Sequence, residues 1–240
     1  MYEIKLIFQL EKPEVPEELD KLMVSFFKAS IEKHSPELFE RLYTKKASVI
    51  KTYCWACYLP GANFTKDKIR LNKNEFTITF TDADMGEFIE FFNAFQLMRY
   101  KKYPTNKNSM TLISVKIRKL PPIKDTELII KMQSSLVVRK HNSLDNTDIY
   151  YTCEDDEFSE MVKENLKIFL QKLNIEMDIE SFSITPIKAK KVVAKVWQRP
   201  TDANIGLYKI TGSVQLLELL YTAGLGTRRS LGHGKWEIVY

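Results

Sequence analysis

The residues best suited to chemistry lie in the last seventeen positions of the 240-residue chain. Glycine permits positive φ and lets another backbone approach closely. Consecutive exposed N–H groups then form a concavity that binds phosphate, and arginines beside it add charge. Four of the eight glycines stand there among a histidine and three cations: Gly224, Gly226, Arg228, Arg229, Gly232, His233, Gly234 and Lys235. We therefore predict that residues 224–234, named the Gly-rich loop below, bind the phosphate backbone of a nucleic acid.

The Gly-rich loop lies between two regular elements. Residues 212–223 have the apolar spacing of a short amphipathic helix, and residues 235–240 alternate as in a strand. For isolated Gly-x-Gly pairs, a basic turn without function is an equally good interpretation, because short motifs recur by chance. The flanking elements favour the binding loop, since they would hold it rigidly at both ends.

The Gly-rich loop resembles a known family signature. Ala223-Gly224-Leu225-Gly226, followed by Ser230-Leu231-Gly232-His233-Gly234, is similar to the carboxy-terminal motif of the CRISPR-associated endoribonucleases that cut precursor crRNA, the Cas6 family of the RAMP superfamily. The resemblance implies two tandem ferredoxin-like domains and binding of CRISPR repeat RNA, in precursor and mature crRNA. It also implies cleavage inside the repeat without a metal or other cofactor. It leaves open a homodimer and association with other CRISPR-associated proteins of an interference complex.

Cleavage of this kind uses the RNA's own 2′-hydroxyl. The hydroxyl attacks the adjacent phosphorus, which leaves a 2′,3′-cyclic phosphate and a 5′-hydroxyl. A base takes the 2′ proton, an acid protonates the leaving oxygen, and a cation or hydrogen-bond donor stabilises the added negative charge. Histidine suits the proton transfers near neutral pH, and lysine or arginine suits the charge.

Three histidines are candidates for the proton transfers: His34, His141 and His233. We predict that His34 is catalytic, helped by Tyr43 and Lys46. His34 is the only histidine in the lysine-rich amino-terminal segment where the resembled family keeps its active site. We expect His233 to lie near phosphate rather than to carry protons.

The chain departs from the family pattern at this predicted active site. Relatives carry a histidine in the segment that corresponds to residues 40–46, a tyrosine in the first helix and a lysine just downstream. Here Tyr43 occupies the histidine position and Lys28 falls near the tyrosine position. Three outcomes therefore stay open: His34 is the base, a lysine and a tyrosine cleave slowly, or the protein binds repeat RNA without cutting it.

Further basic residues are predicted to contact RNA. Lys28 and Arg139 are two of them. Lys188 and Lys190 share one face of a predicted strand with an unusual number of lysines, which indicates a strand along the RNA groove. In residues 99–103, tyrosines interleave with cations, a pattern typical of base stacking with phosphate contact. Cations at the end of a helix would explain that last pattern equally well.

Composition fits a nucleic-acid-binding protein without deciding for one. The net charge is +5, and basic stretches are separated from acidic ones in the second half. No apolar run approaches the roughly 18 residues of a membrane span, and the first residues do not resemble a signal peptide. We therefore expect a cytoplasmic protein without membrane contact. Cys54 and Cys57 have zinc-site spacing but no second pair, so we interpret them as packing residues.

The order of the predicted elements in the first half is β-α-β-β-α-β, which is the ferredoxin-like motif, and the second half repeats it less cleanly, with a degenerate first strand-helix unit. The fold class is therefore α+β, with domains at residues 1–120 and 121–240 joined around Pro121-Pro122. The first half has predicted strands at 2–10, 48–59, 75–81 and 110–119, and helices at about 17–32, 36–44 and 84–100. The second half has predicted strands at 126–138, 149–152, 181–198, 205–211 and 235–240, a loop at 140–148, and helices at about 156–173 and 213–222.

Overall fold

The amino-terminal half forms a five-stranded antiparallel sheet, covered on one face by two helices, and a small three-stranded sheet. The computed structural model describes residues 1–44, 49–196 and 199–240. The strands of this half are β1 Tyr2–Leu10, β2 Glu14–Pro16, β3 Tyr53–Tyr58, β4 Asn63–Phe64, β5 Lys68–Arg70, β6 Glu75–Asp82, β7 Lys102–Thr105 and β8 Asn108–Lys119. The helices are α1 Leu19–His34, α2 Pro36–Phe39, which continues as a π-helical turn at Glu40–Thr44, and α3 Met85–Met98. The small sheet has the order β2-β5-β4.

The order of strands in the five-stranded sheet is that of a ferredoxin-like domain. It runs β3-β6-β1-β8, with β7 added at one edge, and all neighbours are antiparallel. On β1, alternate side chains from Ile4 to Phe8 are buried, because successive residues of a strand face opposite sides. They meet the aromatic faces of α1 and α3, which form the core of this half. The side chain of Asp84 caps α3 by accepting a hydrogen bond from the Glu87 N–H at 2.9 Å.

The carboxy-terminal half repeats the same topology. Its strands are β9 Glu127–Met132, β10 Val138–Asn142, β11 Thr147–Tyr151, β12 Ser183–Val196, β13 Arg199–Thr211 and β14 Trp236–Ile238. Its helices are α4 Phe158–Leu173 and α5 Val214–Ala223, followed by a 3₁₀ turn at Arg229–Leu231. The sheet order β12-β13-β9-β14 matches that of the first half, so the protein is a tandem of ferredoxin-like domains in the α+β class.

Four predictions about elements need correction. The predicted strand at 126–138 stops at Met132, and the predicted loop at 140–148 is mostly a hairpin of β10 and β11. That hairpin turns at Asn146, whose φ of 56° an asparagine tolerates better than most residues. The predicted strand at 205–211 starts already at Arg199, which makes β12 and β13 one long hairpin. The second helix ends at Phe39 and changes there to a π-helical turn.

The two halves have separate hydrophobic cores, and buried polar contacts join them. One core ends at Val115 and the other begins at Leu120, and the structure assigns no regular element to residues 120–126. Lys235, which is 1% exposed, donates to Glu3 at 3.1 Å and to Thr81 at 3.4 Å across the junction. No helix in the described ranges is both long and apolar enough to cross a membrane.

Candidate nucleic-acid interface

The Gly-rich loop is docked against the edge of the first sheet. The indole N–H of Trp55 on β3 donates to the carbonyl of Ser230 at 3.0 Å, and the Cys54 thiol donates to the carbonyl of His233 at 3.2 Å. At its other side, the Thr227 N–H donates to the carbonyl of Val137, just before β10. The loop therefore sits at the junction of the two domains, fixed to both.

The glycines allow this close docking. A Cβ at Gly232 would lie 2.8 Å from the Trp55 ring, and one at Gly224 would lie 2.6 Å from the Cys54 sulfur. Both residues also have positive φ, so glycine is required for the backbone conformation as well as for the lack of space. Gly226 and Gly234 face carbonyls of Val137 and Leu225 in the same way.

Three of the four glycine N–H groups that we predicted to bind phosphate are already paired. Their N–H groups donate to carbonyls inside the protein: Gly224 to Leu220, Gly232 to Arg229, and Gly234 to Ser135. A donor that is already paired is not free to bind an anion. The glycines shape the loop, and the charge for phosphate must come from side chains.

The two adjacent arginines of the loop have different environments. Arg229 is 8% exposed, and its guanidinium lies 3.5 Å from the centre of the Phe169 ring on α4. Burial lowers its pKa to about 10, so it stays charged at neutral pH. Arg228 is about one-third exposed and lies 3.6 Å from the carboxylate of Asp148. Of the two, only Arg228 is accessible enough to reach a phosphate, and Arg229 anchors the loop to α4.

His233 is a buried residue of the loop. Its Nδ1 shares a hydrogen bond of 2.8 Å with the hydroxyl of Ser135. Burial lowers the pKa of the imidazole to about 4, so the ring is neutral at pH 7. This environment agrees with the view that His233 is not a proton carrier, but it also keeps the ring away from an incoming phosphate.

A basic cleft of about 510 Å³ opens between the domains beside the loop. Four segments line it, namely residues 49–51, β10, α4 and the Gly-rich loop. The cleft's titratable side chains are almost all cationic or neutral bases: Lys51, Arg139, His141, Lys172, Arg228 and Arg229. Such a concentration of positive charge in a concave surface attracts a polyanion.

At one end the basic cleft continues into a smaller pocket that holds lysines and tyrosines. Lys28 and Lys51 place their ammonium groups 5.2 and 5.0 Å from the centre of the Tyr43 ring, within cation–π range. Lys51, Ser230 and Leu231 line both the cleft and this pocket. We name Lys28, Tyr43 and Lys51 the lysine–tyrosine cluster.

The lysine–tyrosine cluster has shifted protonation equilibria. Burial, and then the charge of Lys28, lowers the pKa of Lys51, so more of its amine is neutral near pH 7 than in water. Burial raises the pKa of Tyr43 well above its usual value, and its hydroxyl is paired with that of Tyr53 at 2.9 Å. The Tyr43 hydroxyl therefore stays protonated near neutral pH and does not act as a base.

His34 does not join this cluster. It ends α1 six residues after Lys28, which at about 100° per residue puts it on a different face of the helix. Its Nε2 lies 3.2 Å from the carboxylate of Glu90, beside an acidic cleft that includes Glu37 and Glu40. Negative charge of this density repels RNA, so the geometry does not favour His34 as the base. Lys46 lies outside the described residues.

The remaining predicted contacts are spread along the surface. Arg139 lines the basic cleft from β10. Lys188 and Lys190 are exposed on β12, an edge strand of the second sheet, and they share one face as predicted. The structure does not bring them into the basic cleft.

Sequence reasoning missed Lys51 and the contribution of His141. Lys51 lies downstream of Lys46, the lysine that we predicted to help in catalysis. The sequence pattern could have indicated this position. In an extended chain, side chains two residues apart lie on the same face, so Lys51 lies on the same face as Tyr53. For His141 no sequence signal existed, because its neighbours come from a hairpin that the pattern did not reveal.

Comparisons with known proteins agree with this picture. Residues 116–238 match the family model described as CRISPR associated protein Cas6, C-terminal. A structure described as an RAMP protein binding different RNA substrates superposes with a TM-score of 0.85 at 14% identity, over 100% of both chains. A structure of a Cas6-related protein from Pyrococcus furiosus superposes with a TM-score of 0.86 at 14% identity, over 99% of this chain and 98% of that chain.

A Cas6 product complex gives a TM-score of 0.74 at 15% identity, with 99% of each chain covered. No curated protein sequence matches the chain significantly. At these identities the superpositions establish the fold, and the family model establishes the family.

Proposed function

Because the chain belongs to the Cas6 family of CRISPR-associated proteins, we propose that it binds CRISPR repeat RNA in the basic cleft and cuts it beside the Gly-rich loop. Similar structures include a Cas6 product complex and an RAMP protein described as binding different RNA substrates. The domain boundary belongs to the same proposal. We place it at residue 120, where the two cores separate, so that RNA lies between domains 1–120 and 121–240.

The observation that carries the proposal is the position of Lys51. Its side chain lines both the basic cleft and the lysine–tyrosine cluster, so RNA bound along the cleft would reach the cluster. Ser230 and Leu231 of the Gly-rich loop complete the wall shared by both cavities. In this proposal, a phosphate held by the loop lies next to the groups that act on it.

The lysine–tyrosine cluster can supply each part of the reaction. The neutral fraction of Lys51 accepts the 2′-hydroxyl proton, and the 2′ oxygen forms a bond to phosphorus. The ammonium of Lys28 stabilises the charge on the phosphoryl oxygens and gives a proton to the leaving 5′ oxygen as its bond to phosphorus breaks. Tyr43 donates a hydrogen bond to a phosphoryl oxygen. The products are a 2′,3′-cyclic phosphate and a 5′-hydroxyl.

A second function, binding of repeat RNA without cleavage, is favoured by one observation. Tyr43 stands where relatives carry a histidine, and its raised pKa and its bond to Tyr53 prevent it from acting as a base. No histidine lines the pocket of the cluster in the part of the chain that the structure describes. Cleavage would then depend on lysine alone, which is a weaker catalyst near neutral pH because most of it is protonated.

An assay of the purified protein on its cognate repeat RNA in EDTA separates these functions. The proposal expects one cut per repeat, with a cyclic phosphate on the upstream product. Tight binding without any cut would support the second function. Association with other CRISPR-associated proteins, a homodimer and a cytoplasmic location stay predictions.

A further inference from the structure

A group of side chains around Asp148 is not used by the cleavage step. The carboxylate lies on β11 and receives hydrogen bonds from Arg139 at 2.6 Å and from His141 Nδ1 at 2.8 Å. Tyr150 adds a third hydrogen bond at 3.3 Å, and Arg228 of the Gly-rich loop lies 3.6 Å away. One strand, β10, and the Gly-rich loop thus contribute basic side chains around one acidic group.

Asp148 is held in its ionised form. Burial opposes ionisation, but the hydrogen bonds of His141 and Arg139 and the nearby guanidinium charges outweigh it and lower the pKa overall. One carboxylate cannot neutralise two arginines. The group therefore keeps an excess of positive charge on the side that faces the basic cleft, where Arg139, His141 and Arg228 all contribute to the wall.

Hydrogen bonds from α4 and from the Gly-rich loop hold the backbone around this group in place. Asn165 of α4 bonds the backbone of Arg139 twice, accepting from its N–H at 3.2 Å and donating to its carbonyl at 2.7 Å. The Thr227 N–H donates to the Val137 carbonyl at 2.8 Å, which fixes the loop beside the hairpin. The hydrogen bonds to Asp148 also hold the side chains of Arg139 and His141 in place, so these side chains lose less freedom when an anion binds.

We propose that Arg139, His141 and Arg228 form a phosphate subsite of the basic cleft in which binding of RNA is coupled to protonation of His141. Asp148 acts as a positioning residue, because it orients the Nδ1 side of the ring and leaves Nε2 for the phosphate. The subsite rests on the proposed function of the cleft as an RNA-binding surface. It adds a proton-linked contact that neither the Gly-rich motif nor the lysine–tyrosine cluster provides.

The direction of the coupling follows from the charges. A phosphate beside the ring stabilises its protonated form, so binding of the RNA takes up protons. Affinity should then be highest at low pH and fall as the pH rises through the range where histidine titrates. The charged and titratable groups that line the cleft with the ring, or that contact its partner Asp148, are Lys51, Arg139, Asp148, Tyr150, Lys172, Arg228 and Arg229.

The other two histidines cannot mimic this behaviour. His233 has a pKa lowered to about 4 by burial and stays neutral in the relevant range. His34 is paired with Glu90 outside the basic cleft. His34→Gln is therefore a matched control for His141→Gln, since both side chains are partly exposed and both have a carboxylate partner.

Calorimetric titration with repeat RNA carrying 2′-O-methyl sugars, which cannot be cleaved, tests the subsite. Titrations near pH 6.5 in two buffers of different ionisation enthalpy measure the protons taken up on binding. Wild-type protein and His34→Gln should take up a substantial fraction of one proton and bind about tenfold more tightly near pH 5.5 than near pH 8. His141→Gln should show almost no uptake and a change in affinity below about twofold. Asp148→Asn should move the uptake to lower pH, because the imidazolium loses its carboxylate.

The outcomes distinguish this inference from the function on which it rests. Wild-type protein that fails to bind the RNA would overturn both. Wild-type protein that binds without proton uptake, or His141→Gln with unchanged uptake, would overturn the subsite alone. Loss of cleavage in His141→Gln with unchanged uptake would instead assign the residue to catalysis and contradict the subsite.

Discussion

Replacing Lys235 by methionine should remove a buried ion pair that joins the two domains and so destabilise the protein. The side chain is 1% exposed and donates to Glu3, which is 2% exposed, and to Thr81. Removing one partner of a buried ion pair typically costs about 3–5 kcal/mol, because it leaves the other charge uncompensated. Here Glu3 keeps a second partner, Arg118, at 2.8 Å. We therefore expect a cost near the lower end, about 3 kcal/mol, which for a chain of this size corresponds to a decrease in Tm of about 6–12 °C.

Scanning calorimetry without RNA measures this cost, and two further variants make it specific. Lys209→Met removes an exposed pair with Glu127 and should change stability by less than about 0.5 kcal/mol. Adding Glu3→Gln to Lys235→Met should recover part of the loss, because the uncompensated carboxylate disappears. A Lys235→Met protein as stable as the wild type, or a double variant no better than the single one, would refute the account of the junction.

Three further predictions concern the Gly-rich loop. Gly232→Ala should destabilise the protein by at least about 1–2 kcal/mol and weaken RNA binding, since the residue has positive φ and its Cβ would meet Trp55. Gly212→Ala, whose Cβ would meet only ordinary contacts, should change chemical denaturation little, and equal effects of the two would contradict this reasoning. Arg228→Ala should reduce the slope of log affinity against log salt by about 0.7–0.9, so an unchanged slope would exclude a phosphate contact. For His233, the unfolded chain binds a proton between about pH 6.5 and 4 that the folded protein excludes, so His233→Gln should reduce the loss of stability on acidification through that window, as measured by urea unfolding against pH.

Much of the fold could be predicted from the sequence because its patterns are local. Alternation on β1 and apolar spacing on α1 and α5 reflect burial that each element needs in any context. The hairpin of β10 and β11 was missed because its residues are mostly polar and exposed. Exposed strands of this kind carry no hydrophobic alternation, and asparagines such as Asn142 and Asn146 are typical of loops.

The functional site was less predictable because it depends on contacts between distant residues. The glycine motif located the loop, yet the N–H groups of Gly224, Gly232 and Gly234 bind inside the protein. Arg228 and Arg229 look equivalent in the sequence, and only the packing of α4 separates an accessible cation from a buried one. We chose His34 because histidine suits proton transfer. The structure instead places Lys28, on another face of α1, beside the Gly-rich loop.

The most direct test of the central claim is single-turnover cleavage of the cognate repeat RNA in EDTA by Lys51→Ala and His34→Ala, beside the wild type. Affinity for the uncut RNA is measured in the same buffer. We predict that Lys51→Ala loses about 10²–10⁴-fold in rate while binding within a few fold of the wild type. His34→Ala should cleave at the wild-type rate and leave the same cyclic phosphate. Full activity of Lys51→Ala, or loss of activity in His34→Ala, would contradict the assignment of the lysine–tyrosine cluster as the site of cleavage.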